Sequence, residues 1–128
     1  MSYYYAKKVD YTFDESVQKI TNELKEVGFG ILTEIDVKET LKKKIDVDFR
    51  KYKILGACNP NFAHKALLAE DKIGVLLPCS VIVQELEDGK CEIAVMNPME
   101  AMSVVTNDKL APIAGEVNSL LESALQKV

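Results

Sequence analysis

The segment VIVQELEDGKCEIAVM, Val81 to Met96, limits the fold more than any other part of the chain. Two runs rich in β-branched residues flank Asp88-Gly89, a pair that favours the tight turn of a β-hairpin. Such a hairpin needs an antiparallel sheet around it. With Asp88 and Gly89 as the two turn residues, Glu85 would face Glu92, Val83 would face Ala94 and Val81 would face Met96. Opposed residues share a sheet face. In this register one face carries Cys79, Val81, Val83, Ala94 and Met96, and the other carries Ile82, Leu86, Cys91, Ile93 and Val95. Both faces are then apolar, and a sheet covered on one side only should alternate apolar with polar. The second face therefore needs a cover. Either the short helices or a second copy of the chain would serve, and a homodimer is the favoured reading.

Strand signals recur along the chain at Tyr3 to Val9, Gly30 to Ile35, Tyr52 to Cys58, Gly74 to Leu86 and Cys91 to Asn97. Helical spacing appears between them. Thr12 and Glu15 form a capping-box pair. Phe13, Val17, Ile20, Leu24 and Val27 then make one apolar stripe, which Gly28 and Gly30 end. Asp36 suits the cap of a short helix, Val37 to Ile45, whose lysine run 42–44 is a solvated helix end. Asn59 and Pro60 suit the cap and first residue of another helix, with Phe62, Ala63, Ala66, Leu67 and Leu68 directed to the core. Asn107 to Val128 forms a long amphipathic helix with Pro112 near its start. These elements predict an α+β fold. One mainly antiparallel sheet of about five strands has the first and last helices packed on one face, and the short helices are additional.

A chain of 128 residues matches one domain and is long enough to bury an ordinary core. With 16 basic and 20 acidic residues its formal charge is −4. That balance disfavours nucleic acid and anionic membranes, both of which are bound by clustered cations. No apolar run reaches the roughly 20 residues needed to cross a bilayer. The opening residues MSYYYAKKVDY lack the apolar core of a secretory signal, so a cytoplasmic address is expected. There the three cysteines, Cys58, Cys79 and Cys91, would be free thiols.

The candidate site is the run ILGACNP, Ile54 to Pro60. It places the Cys58 thiol one residue before the N-cap of a helix, where unpaired amides and the helix dipole favour a thiolate. Gly56 and Ala57 leave room for an approaching molecule. Cys79 follows Pro78, and a proline within a strand marks an edge, a start or a bulge. Three readings stay open. The first is a pocket for a small ligand or partner near Cys58 and Cys79. The second is a thiol-dependent enzyme or redox protein that uses Cys58, with Cys79 as the resolving thiol. The third is a soft-metal site for zinc or copper(I) built from Cys58, Cys79 and His64. For each thiol the plain alternative is packing, and Cys91 is read as packing. His64, the only histidine, is better read as a surface helix residue with no role. No cofactor is implied by any motif: phosphate loop, His-Glu-x-x-His, nucleophile elbow and EF-hand patterns are all lacking.

The block YKILGACNPNFAHKALLAEDKIGVLLPCSVIVQE, Tyr52 to Glu85, resembles a bacterial and archaeal family known as domain of unknown function 302. The shared features are ILGACNP at Ile54 to Pro60, Ala63 with Ala66-Leu67, the Ile73 to Cys79 run and the strand that ends at Glu85. The flanking GFGILTEIDV strand and Asn97-Pro98 are similar too. The resemblance implies a β-α-β(4)-α domain like one half of the TATA-binding protein, assembled as a dimer. It carries no activity, substrate or catalytic residue. It directs attention to Cys58, Asn59, Pro60, Cys79 and Glu85 as ligand-binding candidates. Relatives often carry tyrosine where this chain has His64, which counts against a role for that imidazole.

Overall fold

A computed structural model describes residues 2–128. Its strands are β1 (Tyr4–Val9), β2 (Gly30–Asp36), β3 (Tyr52–Cys58), β4 (Cys79–Glu85) and β5 (Cys91–Met96). They form one sheet in the order β1-β5-β4-β3-β2, and every neighbouring pair is antiparallel. The helices are α1 (Phe13–Glu26), α2 (Val37–Ile45), α3 (Pro60–Ala69), α4 (Pro98–Ala101) and α5 (Leu110–Gln126). The long helices α1 and α5 contact each other and cover one face of the sheet. This is the α+β architecture that the strand and helix periodicities predict.

Local chemistry sets the boundaries. The Thr12 side chain accepts from the Glu15 amide, and Asp36 does the same for Glu39. At the end of α1 the Gly28 amide donates to the Lys25 carbonyl (3.0 Å) and the Phe29 amide to that of Leu24 (2.8 Å). This is the Schellman arrangement. Its left-handed residue is Gly28 at φ 88°, and Phe29 turns inward to full burial. Pro112 falls in the first turn of α5, where its missing amide costs nothing.

The hairpin forms where the sequence places it, but in a different register. Val81 faces Val95, Val83 faces Ile93 and Glu85 faces Cys91. The loop has three residues, Glu87, Asp88 and Gly89. The Leu86 amide donates to the Lys90 carbonyl (2.7 Å), and Gly89 takes φ 81°. A three-residue loop with glycine in the left-handed position shifts the pairing by one relative to a two-residue turn, which moves every β5 side chain to the other face. Cys79, Val81, Val83, Cys91, Ile93 and Val95 thus share the helix-covered face, and all are buried. Ser80, Ile82, Gln84, Glu92, Ala94 and Met96 share the opposite face, the one left uncovered by α1 and α5. The expected Glu85–Glu92 pairing does not form. Gln84 opposes Glu92 and donates to its carboxylate at 3.0 Å.

The strand expected over Gly74 to Leu86 is shorter. Asp71–Leu76 is a 3₁₀ turn, the Leu77-Pro78 peptide is cis, and β4 begins at Cys79. The uncovered face still carries an apolar row across all five strands, Ala6–Ala94–Ile82–Ile54–Ile35, each residue being the pairing partner of the next. Among the described residues no helix is long and apolar enough to cross a membrane.

Candidate functional site

β3 delivers Ala57 and Cys58 to one end of the sheet, and β4 starts beside them, with Ala57 paired to Cys79. β3 can run so close to its neighbours because residue 56 is glycine. A Cβ there would meet the Pro78 ring at 2.7 Å and crowd the Thr33 hydroxyl, at the bulge where β2 changes register between Ile31 and Thr33. Asn59 then turns the chain into α3. Its Oδ1 accepts from the amides of Asn61 (3.1 Å) and Phe62 (3.3 Å), and Pro60 occupies the first helical position.

A cavity of about 360 Å³ lies at this corner. Its floor is Phe29, Ala57, Cys58 and Cys79. One wall is α3, through Phe62, Ala63, Ala66 and Leu67. The opposite wall is α5, through Leu110, Ile113, Ala114 and Val117, with Pro98 and Met102 beside it. Leu77 and Pro78 close a third side. Leu32 and Leu67 also line it, 68% and 43% exposed, and mark its mouth. No lining side chain is charged. The polar groups are Thr33, Asn59 and the two thiols.

The thiols differ in setting. Cys79 is 5% exposed, and burial, with a smaller contribution from the neighbouring Cys58 thiol, pushes its pKa up to about 11. It stays protonated at neutral pH, whereas a nucleophilic cysteine acts as the thiolate. Cys58 is partly exposed, and all three cysteines are free. Cys91 is fully buried in the main core as packing, at the far end of β5 from the cavity.

The structure brings together Cys58, Asn59 and Cys79 from the residues singled out in the sequence. Pro60 is exposed on the outside of the helix start and does not line the cavity. His64 is exposed on α3 and does not line the cavity that holds both thiols. Among the described residues no three His, Cys, Asp or Glu side chains are grouped as metal ligands. Glu85 lies on β4 six residues beyond Cys79, about 20 Å along an extended strand, and does not reach the cavity. Leu67 and Leu68, expected in the core, are exposed, because α3 turns its buried side (Ala66) toward a small second cluster with Ile73 and Leu110. The sequence reading missed the cavity's opposite wall. The stripe Leu110, Ile113, Ala114, Val117 is visible as an apolar face, but nothing in its spacing tells a face that fills the core from one that borders a void.

The family model for domain of unknown function DUF302 matches residues 5–128. A crystal structure of an uncharacterized conserved protein DUF302 from Bacillus stearothermophilus is similar, with a TM-score of 0.92 and 27% sequence identity. The match covers 99% of this chain and 98% of that one. No curated protein matches the chain.

Proposed function

The chain belongs to the family of domain of unknown function DUF302, whose description assigns no chemistry, and from that premise we propose that it is a cytoplasmic binding module, a homodimer in which each copy receives a small apolar molecule in the cavity beside Cys58 and Cys79. The observation that carries this reading is the cavity's size and lining. Its roughly 360 Å³ falls within the range of small-molecule sites, and its walls are hydrocarbon with a few polar groups. At about 24 cal/mol per Å³, a sealed void of that volume would cost about 9 kcal/mol, comparable to a whole domain's margin of about 5–15 kcal/mol. The opening at Leu32 and Leu67 relieves that cost but leaves the apolar walls wetted, and an apolar occupant releases that water.

The homodimer reading is supported by the row Ala6, Ala94, Ile82, Ile54 and Ile35. This row lies on the sheet face that neither α1 nor α5 covers, and a second copy would bury it.

The neutral dye Nile red tests the cavity. Saturable binding by the wild-type protein, abolished in an Ala63→Phe variant with unchanged circular dichroism, is the expected result. Failure of the wild-type protein to bind, or equal binding by the folded variant, overturns the reading.

A further inference from the structure

We propose that the cavity excludes charge, so that its ligand is a neutral, largely hydrocarbon molecule and not an amphiphile with an ionised head. This rests on the binding-module reading and narrows it to a ligand class. An ion drawn inside would lose its water and gain no counter-charge, which costs several kcal/mol. The polar groups present cannot replace that water. Asn59 spends its side-chain oxygen on the amides of Asn61 and Phe62, which leaves a cation no acceptor there, and its Nδ2, a single neutral donor group, lies against Gly28. Thr33 offers one hydroxyl, and a thiol is a weak donor.

The mouth is equally unsuited to an ionised head. Leu32 and Leu67 stand there, and Leu68 on α3 and Val75 on the 3₁₀ turn are exposed on the elements that frame it. None of the ionic groups of these elements lines the cavity. Lys72 pairs with Asp71 at 3.1 Å, and Glu70 accepts from the Asn107 amide group at 3.1 Å. Lys65 is exposed, with its ammonium 5.6 Å from the centroid of the lining Phe62 ring, and Glu34 pairs with Lys53 at 2.6 Å. The α5 wall from Leu110 to Val117 covers two helical turns, about 10 Å at about 1.5 Å per residue. That length suits a medium-length chain.

Three probes of one length test this: 1-decanol, decanoate and decylammonium, titrated at pH 7 below their aggregation limits and followed by calorimetry. Decanol should bind at least about tenfold more tightly than either ion, about 1.4 kcal/mol. Leu32→Lys, at an exposed position, should raise decanoate affinity at least about fivefold and leave decylammonium the weakest. Either ion binding the wild type within about threefold of decanol overturns charge exclusion and leaves the cavity reading intact. An unchanged decanoate affinity in Leu32→Lys overturns the assignment of the mouth. Binding by none of the three, or decanol binding unchanged in Ala63→Phe, overturns both readings together.

Discussion

The Pro78 ring occupies the space that a side chain at residue 56 would need: a Cβ on Gly56 would stand 2.7 Å from Pro78 Cγ. Thr33 crowds the same point, but its hydroxyl can rotate away and the proline ring cannot. Gly56→Ala should therefore destabilise the domain by about 1–3 kcal/mol, the usual range for overpacking, and displace Pro78 from the cavity wall. Gly30→Ala is the control, because a Cβ there meets nothing within 4 Å. Urea unfolding of the two variants checks the difference. Equal midpoints would show that the contact carries no constraint.

Asn59 caps one helix and lies against the end of another. Its Oδ1 caps α3, and its Nδ2 stands 2.8 Å from where a Cβ on Gly28 would lie, at the end of α1. Asn59→Ala should cost about 1 kcal/mol through the lost cap. Asn59→Asp keeps the accepting oxygen and should recover most of it. Thermal unfolding distinguishes them, and a loss as large in the aspartate variant would mean that the amide nitrogen, not the cap, is what matters.

Alkaline pH should weaken the fold through Cys79. Its folded pKa, about 11, lies above the ordinary thiol value because of burial. Between the two values the unfolded chain has released the proton and the native chain has kept it. Stability is therefore fully present below about pH 9 and falls as pH rises toward 11, by an amount on the order of 2–3 kcal/mol. Lysines and tyrosines titrate in the same range, so the measurement is the difference between wild type and Cys79→Ala. That difference should shrink from pH 8 to pH 10.5. A constant difference would remove the buried thiol from the pH dependence.

How much of this was legible in the sequence varies with the range of the interaction. Thr12, Asp36 and Asn59 cap their helices as read, because a cap is decided within four residues. Five strands and two long helices follow from periodicities that burial imposes. The hairpin register did not, because it turns on whether Gly89 closes a two-residue or a three-residue loop, and Asp-Gly fits both. Residues 74–78 read as strand because their apolar run lacks a periodicity that would distinguish it from a 3₁₀ turn. The cavity was half legible. Cys58 and Asn59 are marked by local chemistry, whereas the α5 wall arrives from 50 residues further along the chain, counting from Pro60 to Leu110. Glu85 shares a strand with Cys79, and strand geometry alone separates them.

The uncovered face of the sheet gives the prediction with the clearest readout. Ile82 is central in the row from Ala6 to Ile35, flanked by Ala94 and Ile54. It is half-buried by its neighbours and makes no contribution to the core beneath α1 and α5. A lysine there keeps its stem on the sheet and its charge in water in an isolated chain. Between two copies the same ammonium would face its symmetry mate across an apolar contact, where like charges are costly. Sedimentation should therefore find a dimer for wild type and a monomer for Ile82→Lys, with the two circular dichroism spectra superimposing. The Gln84–Glu92 hydrogen bond borders the row, so Glu92→Gln at that rim should leave the dimer in place. A wild-type monomer, or a lysine variant that stays dimeric, would assign the face to some other role.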